Sequence, residues 1–387
     1  MMVLLIALTV GCLVALAFHY VGYPALLWVL ATIWPRPVRY GSACPSASLI
    51  IAAYNEEAVI REKIENSLSL DYPNLQILVV SDGSTDATAA IVRGYAGRGV
   101  VGLHQSQRRG KANAIGRAAA QATGDIIVFS DANALYRSDA IRMLMRGFSD
   151  AEVGCVTGRC AVQRPPSAGG APSTAVGESL YWRYESAVKW LETRLGSTVA
   201  AVGEMLAIRR HLVKPLPPGL INDDAYLGLS VLRQGYRVIY EPQAFCWEAP
   251  TLSVQDELTR RRRITAGHYQ LVFRMKWWPW NRPSALLMLF SHKVLRHLLP
   301  FLMIGALLAN VALEAWQVVP VAMQVTLAAQ LAFYALAALG LLAEHAGKQW
   351  TVPAAAYYIA IGNLGSLYGF LRFVRGGQSV LWQKAAR

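Results

Sequence analysis

The chain lacks the marks of a disulfide-stapled protein. Its five cysteines, Cys12, Cys44, Cys155, Cys160 and Cys246, are odd in number and include no CxxC pair. That excludes a disulfide framework and a thiolate zinc site, and fits a reducing cytosol. No internal repeat or low-complexity tract is present. Charge is missing altogether from residues 1–34, which hold no Asp, Glu, Lys or Arg. Such a run exceeds the roughly 20 apolar residues that cross a bilayer. Without a charged leading region, and at that length, it is not a cleaved signal peptide but a retained membrane anchor. Also missing, outside the membrane-proximal region, is any interleaving of aromatic and basic residues of the RNA-binding kind. The net charge of +13, from 37 Lys and Arg against 24 Asp and Glu, is therefore assigned to a membrane surface, and no nucleic-acid partner is expected.

Apolar residues make up 54% of the chain and gather at its two ends. Beyond the anchor, three further apolar blocks cover 298–315, 321–343 and 351–371. The stretch 284–300 carries Lys293 and Arg296 on an otherwise apolar helix, the composition of an interfacial segment. One span before the aqueous part and three after it would put the basic tail outside, although Arg372, Arg375, Lys384 and Arg387 favour the inside. Either one block is interfacial or re-entrant, or the rule is broken here. The organisation expected is an anchor at 1–34, an aqueous domain at 38–250, interface helices with an arginine motif at 251–300, spans within 301–371, and a basic tail at 372–387.

Within the aqueous domain, SLIIAA (48–53), LQILVVS (75–81), VVGLH (100–104) and DIIVFS (125–130) alternate with helical patterns at 57–69, 86–96 and 111–122. Alternation of this kind predicts βαβ units and an α/β fold with a mostly parallel sheet. Strands one, two and four run into YNEE, SDGSTD and SDAN, so polar and acidic groups gather on the rim where open α/β sheets bind ligands. A Pro- and Gly-rich loop follows from 164, then a long amphipathic helix, the segment VAAVGEMLAIRR, and a helix beginning at Asp223 or Asp224 that leads into a strand at 237–240. Asp131 and Asn133 suit a metal, and equally a turn.

Taken in order, IIAAYNEE, VVSDGSTDAT, GKANAIGRAAAQATGDIIVFSDAN, NDDAYLGLSVLRQGYRVIYEP and RRRR resemble membrane-integrated family 2 glycosyltransferases, the group of cellulose, hyaluronan and poly-N-acetylglucosamine synthases and their single-transfer relatives. Each motif is weak alone; five in order are specific. The resemblance implies a GT-A nucleotide-diphospho-sugar transferase domain on the cytoplasmic face of a plasma or inner membrane, held by a multi-pass chain. It also implies Mg²⁺ or Mn²⁺ as cofactor and inversion at the anomeric carbon.

By the same resemblance Asp131 is the metal ligand, and Asn133 stands where the family has a second Asp, without its charge. Asp82 contacts the nucleotide, and Tyr54 and Glu56 hold base and ribose; Ser84 or Asp86 is left to cap the helix at 86. Lys111 sits near the donor, whereas Arg108 and Arg109 are expected to be solvated. Asp224 is the general base, because an acceptor hydroxyl needs a positioned proton acceptor as it attacks, with Asp223 beside it and Asn222 or Asp223 free to cap. Gly203 and Glu204 line the acceptor channel. Arg263 matches the arginine of the family's Gln-x-x-Arg-Trp motif and pairs with the donor diphosphate, while Arg260 replaces Gln and Ile264 replaces Trp. The other arginines are expected to face headgroups.

The expected function is transfer of one sugar from a nucleotide sugar, a UDP-sugar in the first instance, to a lipid-linked or saccharide acceptor, with polysaccharide-export proteins among the partners. The loss of the acceptor-facing Trp favours single transfer over processive synthesis. A different class, a silent nucleotide-sugar-binding scaffold, draws on Asn133 and the altered arginine motif.

Overall fold

The computed structural model describes residues 1–162, 173–248, 254–316, 319–348 and 350–376. Most of the Pro- and Gly-rich loop and the end of the basic tail lie outside them. The amino-terminal helix, α1 (Met2–Ile33), leads into strand β1 (Ala47–Ala53), whose seven residues are all buried. A strand hidden on both faces pairs best within a parallel sheet, and β1 lies parallel to both β2 (Leu75–Asp82) and β4 (Ile126–Asp131). With β3 (Val100–Gln105), β5 (Leu135–Tyr136), β6 (Val153–Val162), β7 (Leu206–Arg209) and β8 (Arg237–Glu248), the described strands form one sheet ordered β3-β2-β1-β4-β7-β6-β8-β5. Leu49, Ile51, Val79 and Val128 pack on one face; Ile50, Leu78, Val80, Ile127 and Phe129 pack on the other.

The parallel half is as expected, but the sheet is mixed. β7 runs antiparallel to β4 and β6, with Phe129 opposite Leu206. It therefore begins where β4 ends, and the turn before it, Gly203 and Glu204, comes to the same rim as Asp131. β8 is longer than the strand expected at 237–240. Its far end pairs antiparallel with β5, Leu135 opposite Trp247, so Glu248 arrives beside Asn133. Three registers thus deliver polar groups to one edge.

The helices between are α2 (Ile60–Leu68), α3 (Thr88–Arg93), α4 (Lys111–Ala119), α5 (Ala140–Arg146), α6 (Ser173–Arg194) and α7 (Asp223–Arg233), followed by α8 (Val254–Tyr269). Next come α9 (Pro283–Leu313), α10 (Val321–His345) and α11 (Thr351–Val374). Among the described residues, α1, α9 and α10 are long and apolar enough to cross a membrane, and α11 is not one of them.

The stretch 284–300, read as interfacial, does not stand as a separate segment. That segment is the first half of α9, so the boundary expected at 300/301 falls inside one helix, and Arg296 and Lys293 turn inward to Glu185 on α6. α9 widens into a π-helical turn at Leu289–Val294 and α1 does so at Phe18–Gly22. The two meet there, with His19 Nδ1 3.2 Å from the Ser291 carbonyl oxygen. α11 packs against α8. A Cβ on Gly365 would stand 2.9 Å from Arg261 Cβ, and one on Gly369 2.6 Å from Thr265 Cβ, so small residues let the helices approach.

Candidate active site

The rim is built by loops that fasten one another. Asn55, at φ 53°, accepts the Thr85 N–H at 2.8 Å and donates its own N–H to the Ser84 hydroxyl at 3.1 Å. The Glu56 N–H donates to the Thr88 hydroxyl at 2.8 Å. Asp86 accepts the Thr88 N–H at 3.0 Å and so ties down the first turn of α3. The turn holding Tyr54 and Glu56 is thereby pinned to the loop after β2.

Asp82 is wholly buried, and its two oxygens accept the Arg109 N–H at 2.8 Å and the Gly110 N–H at 2.7 Å, with the Gln105 amide as a further donor. Its hydrogen bonds therefore serve the chain's own loop, rather than α3 as a cap. Gly83 makes this fit possible: its φ is +66°, and a Cβ there would lie 2.5 Å from the Arg108 backbone nitrogen. Arg108 is not solvated. Its guanidinium lies 3.5 Å over the centre of the Tyr54 ring, a cation–π contact. Arg109 is exposed, as expected.

The fastened loop ends at Gly110, and Lys111 opens α4. Its ammonium stands 2.7 Å from Asp131 Oδ1 and 3.5 Å from Asp223 Oδ2. Burial pulls the Lys111 pKa down, but Asp131 and then Asp223 push it up by more, so the group stands above its ordinary value and stays charged. One side chain thus joins the end of β4 to the start of α7.

Neither Asn222 nor Asp223 caps α7 through its side chain. The Asn222 amide instead donates to the Ile264 carbonyl of α8 at 2.8 Å. Gln270, just past α8, adds two more ties, donating to Gly219 O at 2.7 Å and accepting the Ile221 N–H at 3.2 Å. α8 therefore positions the two acids that follow. Asp224 accepts the Ala225 N–H at 2.8 Å. Burial, and then the Asp223 charge, raise its pKa above the ordinary value, while Lys111 and Arg263 act against that rise. A Cβ on Gly203 would stand 3.3 Å from Asp224 Cβ and 3.5 Å from its Oδ2, so glycine leaves the Asp224 carboxyl its room.

Two more acids complete the rim. Glu204, pushed up to about 8 by burial and then by Glu248 and Asp131, has its carbonyl held by the Tyr136 hydroxyl at 2.8 Å. Glu248 Oε2 accepts the Asn133 Nδ2–H at 2.9 Å. Sequence reasoning missed Glu248; the signal was an acid closing an apolar strand, as Asp131 closes β4. The arginine segment is corrected in part: Arg260 and Arg261 bond Glu257 at 2.9 and 2.5 Å, and Arg261 lies 4.6 Å over the Tyr358 ring. The Glu257 bonds lie within α8, the Tyr358 contact of Arg261 reaches α11, and Arg262 is exposed.

The sequence pattern of the family described as "Glycosyltransferase like family 2" matches residues 45–267. The chain belongs to that family. Among curated relatives, the poly-β-1,6-N-acetyl-D-glucosamine synthase of Staphylococcus aureus (strain COL) is 24% identical over 272 residues, covering 66% of this chain and 65% of that protein. The protein of the same name from Staphylococcus epidermidis is 24% identical over 235 residues, covering 59% of this chain and 56% of that one. The chain therefore spans about 65% of the length of the first of these relatives. Among solved structures, the mannosyltransferase PcManGT from Pyrobaculum calidifontis, in complex with GDP-Man and Mn²⁺, matches with a TM-score of 0.71 and 24% identity, covering 96% of this chain and 100% of that one. The fold of this family 2 chain is GT-A, with apolar helices at both ends.

Proposed function

We propose that the chain transfers a sugar from a nucleotide-diphosphate donor to an acceptor at the membrane, with inversion at the anomeric carbon. The observation that carries this reading is the Lys111 bridge, which brings Asp131 and Asp223 to one point with Asp224 next in the chain. Asp224 takes the proton from the acceptor hydroxyl as that oxygen attacks the anomeric carbon and the bond to the diphosphate breaks. A carboxyl whose pKa is raised is the better proton acceptor for this task. In this reading Lys111 and Arg263 supply positive charge that offsets the charge growing on the leaving diphosphate. Tyr54, Glu56 and the loop fastened by Asp82 form the nucleotide side, and Gly203 with Glu204 the acceptor side.

The donor set suits a hard divalent ion. Asp131, Glu248 and the Asn133 amide oxygen are the candidate ligands, and among the described residues no three His, Cys, Asp or Glu side chains gather to hold an ion alone. That fits Mg²⁺ or Mn²⁺, which take one or two protein carboxylates and complete the shell with phosphate oxygens. When bound, the ion neutralises charge on the leaving group.

In this reading α1, α9 and α10 cross the membrane and α11 stays on the side of the aqueous domain; their length and apolar composition support it. A second reading, processive polymer synthesis, is supported by the relatives' printed names. The test is nucleotide release from detergent-purified protein over a panel of UDP- and GDP-sugars with Mn²⁺ or Mg²⁺. Turnover with one donor supports transfer, and binding without turnover of any supports the scaffold reading. Product length by mass spectrometry then separates one sugar from a ladder.

A further inference from the structure

Glu192, near the end of α6, is wholly buried and stands apart from the acids of the rim. A carboxylate taken out of water brings little net stability even when it is paired, so what its bonds fix is geometry. Those bonds divide between its two oxygens. Oε1 accepts the Tyr23 hydroxyl of α1 at 2.6 Å and lies 2.8 Å from His292 Nδ1 of α9. Oε2 accepts the Thr198 hydroxyl at 2.6 Å and the Val199 N–H at 3.3 Å. One oxygen therefore holds two helices long and apolar enough to span a membrane, and the other holds a loop of the aqueous domain.

Both donors on the helix side come from the widened turns. His292 lies within Leu289–Val294, and Tyr23 directly follows Phe18–Gly22. The Tyr184 hydroxyl of α6 also donates to the His19 carbonyl at 2.9 Å. Turns of this kind gather at functional sites, and here they bring two polar side chains to one carboxylate.

The loop held by Oε2 runs along α7. Its start pairs with β8, the Thr198 N–H donating to the Val238 carbonyl at 2.7 Å. Its far end is tied to β6, the Val202 N–H donating to the Thr157 hydroxyl at 2.9 Å. Between them the Val199 amide depends on Glu192 itself, and the Ala200 amide donates at 3.1 Å to the Thr198 hydroxyl that Glu192 orients. The loop then meets one face of α7 at two positions a turn apart. A Cβ on Gly228 would stand 3.2 Å from Ala201 Cβ, and one on Gly203 3.3 Å from Asp224 Cβ.

We propose that Glu192 is a positioning residue for Asp224: through it, the seating of α1 against α9 sets the loop 198–204 and with it the place of the base at the rim. This inference rests on the sugar-transfer reading. It makes the rate of transfer depend on how two membrane helices pack, through contacts that touch neither donor nor acceptor.

The test uses the full chain in detergent. Glu192→Gln keeps the shape of the side chain but leaves one oxygen for two pairs of donors, so its amide N–H groups face donors on the other side. Tyr23→Phe removes the α1 bond alone and leaves His292 on Oε1. Hydrogen–deuterium exchange over residues 198–204 is expected to run about tenfold faster in Glu192→Gln, and exchange over 108–112, where Asp82 holds the amides, is not expected to change. In nucleotide release, kcat is expected to fall about tenfold or more in Glu192→Gln and about threefold in Tyr23→Phe, with the donor KM unchanged. A structural role alone would lower the melting temperature and leave kcat per folded molecule as it was. Tyr23→Phe is expected to cost nothing further in the Glu192→Gln background, as two changes in one network do. Unchanged exchange over 198–204 in Glu192→Gln, unchanged kcat in both variants, or full additivity of the two changes overturns the role. Wild-type turnover with unaltered variants removes the positioning role and leaves sugar transfer standing. Faster exchange over 198–204 in a protein that turns over no donor removes sugar transfer and leaves the tie between helices and loop.

Discussion

The ammonium of Lys111 stands 2.7 Å from Asp131 and 3.5 Å from Asp223, one closing a central strand and the other opening a helix 92 residues later. Removing it leaves two carboxylates facing each other with no cation of the chain between them. A hydrogen bond to a charged group is worth about 1.5–3 kcal/mol, and each 1.4 kcal/mol is tenfold in rate. Lys111→Met is therefore expected to lower kcat/KM roughly ten- to a hundredfold in a nucleotide-release assay. Wild-type kinetics in that variant sink the bridge as a functional feature.

Asp224→Asn keeps the shape of the side chain and removes its basicity. Turnover should fall by about a hundredfold or more, the scale of a positioned base, with little change in KM for the donor. The pH profile carries a second check. Because burial and Asp223 hold the Asp224 pKa above the ordinary carboxylate value, the rate should climb with pH through a limb lying above that of a free Asp. A limb at the free value removes Asp224 as the group it reports.

Gly203→Ala tests spacing rather than charge. The new methyl would sit 3.3 Å from Asp224 Cβ, tight enough to push the carboxyl aside. Misplacement of a catalytic group by a fraction of an ångström to 1 Å costs up to about a hundredfold, so kcat should drop while the melting temperature changes little. Equal loss of both would point to a folding defect.

The parts of this site that the sequence made legible are those set by local pattern. β1, β2 and β4 are apolar because they are buried on both faces, so their ends, and Asp131 with them, could be placed before any coordinates. Glu248 could not. β8 bulges where Glu241, Pro242, Gln243 and Ala244 lie opposite the single Gly158, between the Thr157–Tyr240 and Arg159–Phe245 pairs. That polar interruption hid the strand's second half. The pairing of Lys293 and Arg296 with Glu185 was hidden for a related reason: Glu185 lies more than a hundred residues away. Nor could the two backbone donors that Asp82 takes from Arg109 and Gly110 be read from the sequence.

Glu204 makes a prediction about stability. Its pKa is pushed up to about 8 by burial and by Glu248 and Asp131, so the folded protein holds a proton there that the unfolded chain releases near the ordinary value. Stability from this group is fully present below that value and is lost as pH rises through about 8. Glu204→Gln should flatten the decline in melting temperature between about pH 5 and pH 8. An unchanged slope would mean that the carboxyl titrates normally.

Asn133, where the sequence pattern suggests a second aspartate, is bonded to Glu248. The Asn133 amide nitrogen donates to Glu248 Oε2 at 2.9 Å, which leaves its carbonyl oxygen on the other side of the amide and fixes Glu248 next to it. Asn133→Asp replaces that donor with a carboxylate, so two like charges meet across a contact that was a hydrogen bond. Without a divalent ion the variant should melt lower than the wild-type protein. With an ion present the added charge works the other way, because affinity for a hard cation rises with the number of anionic ligands. Mn²⁺ binding measured by calorimetry or by the loss of the free-ion EPR signal should tighten about tenfold, with Glu248→Gln weakening it by a similar factor. Should Asn133→Asp leave Mn²⁺ affinity unchanged and Glu248→Gln do the same, neither residue stands next to the ion, and Asp131 would have to find its companion ligand elsewhere.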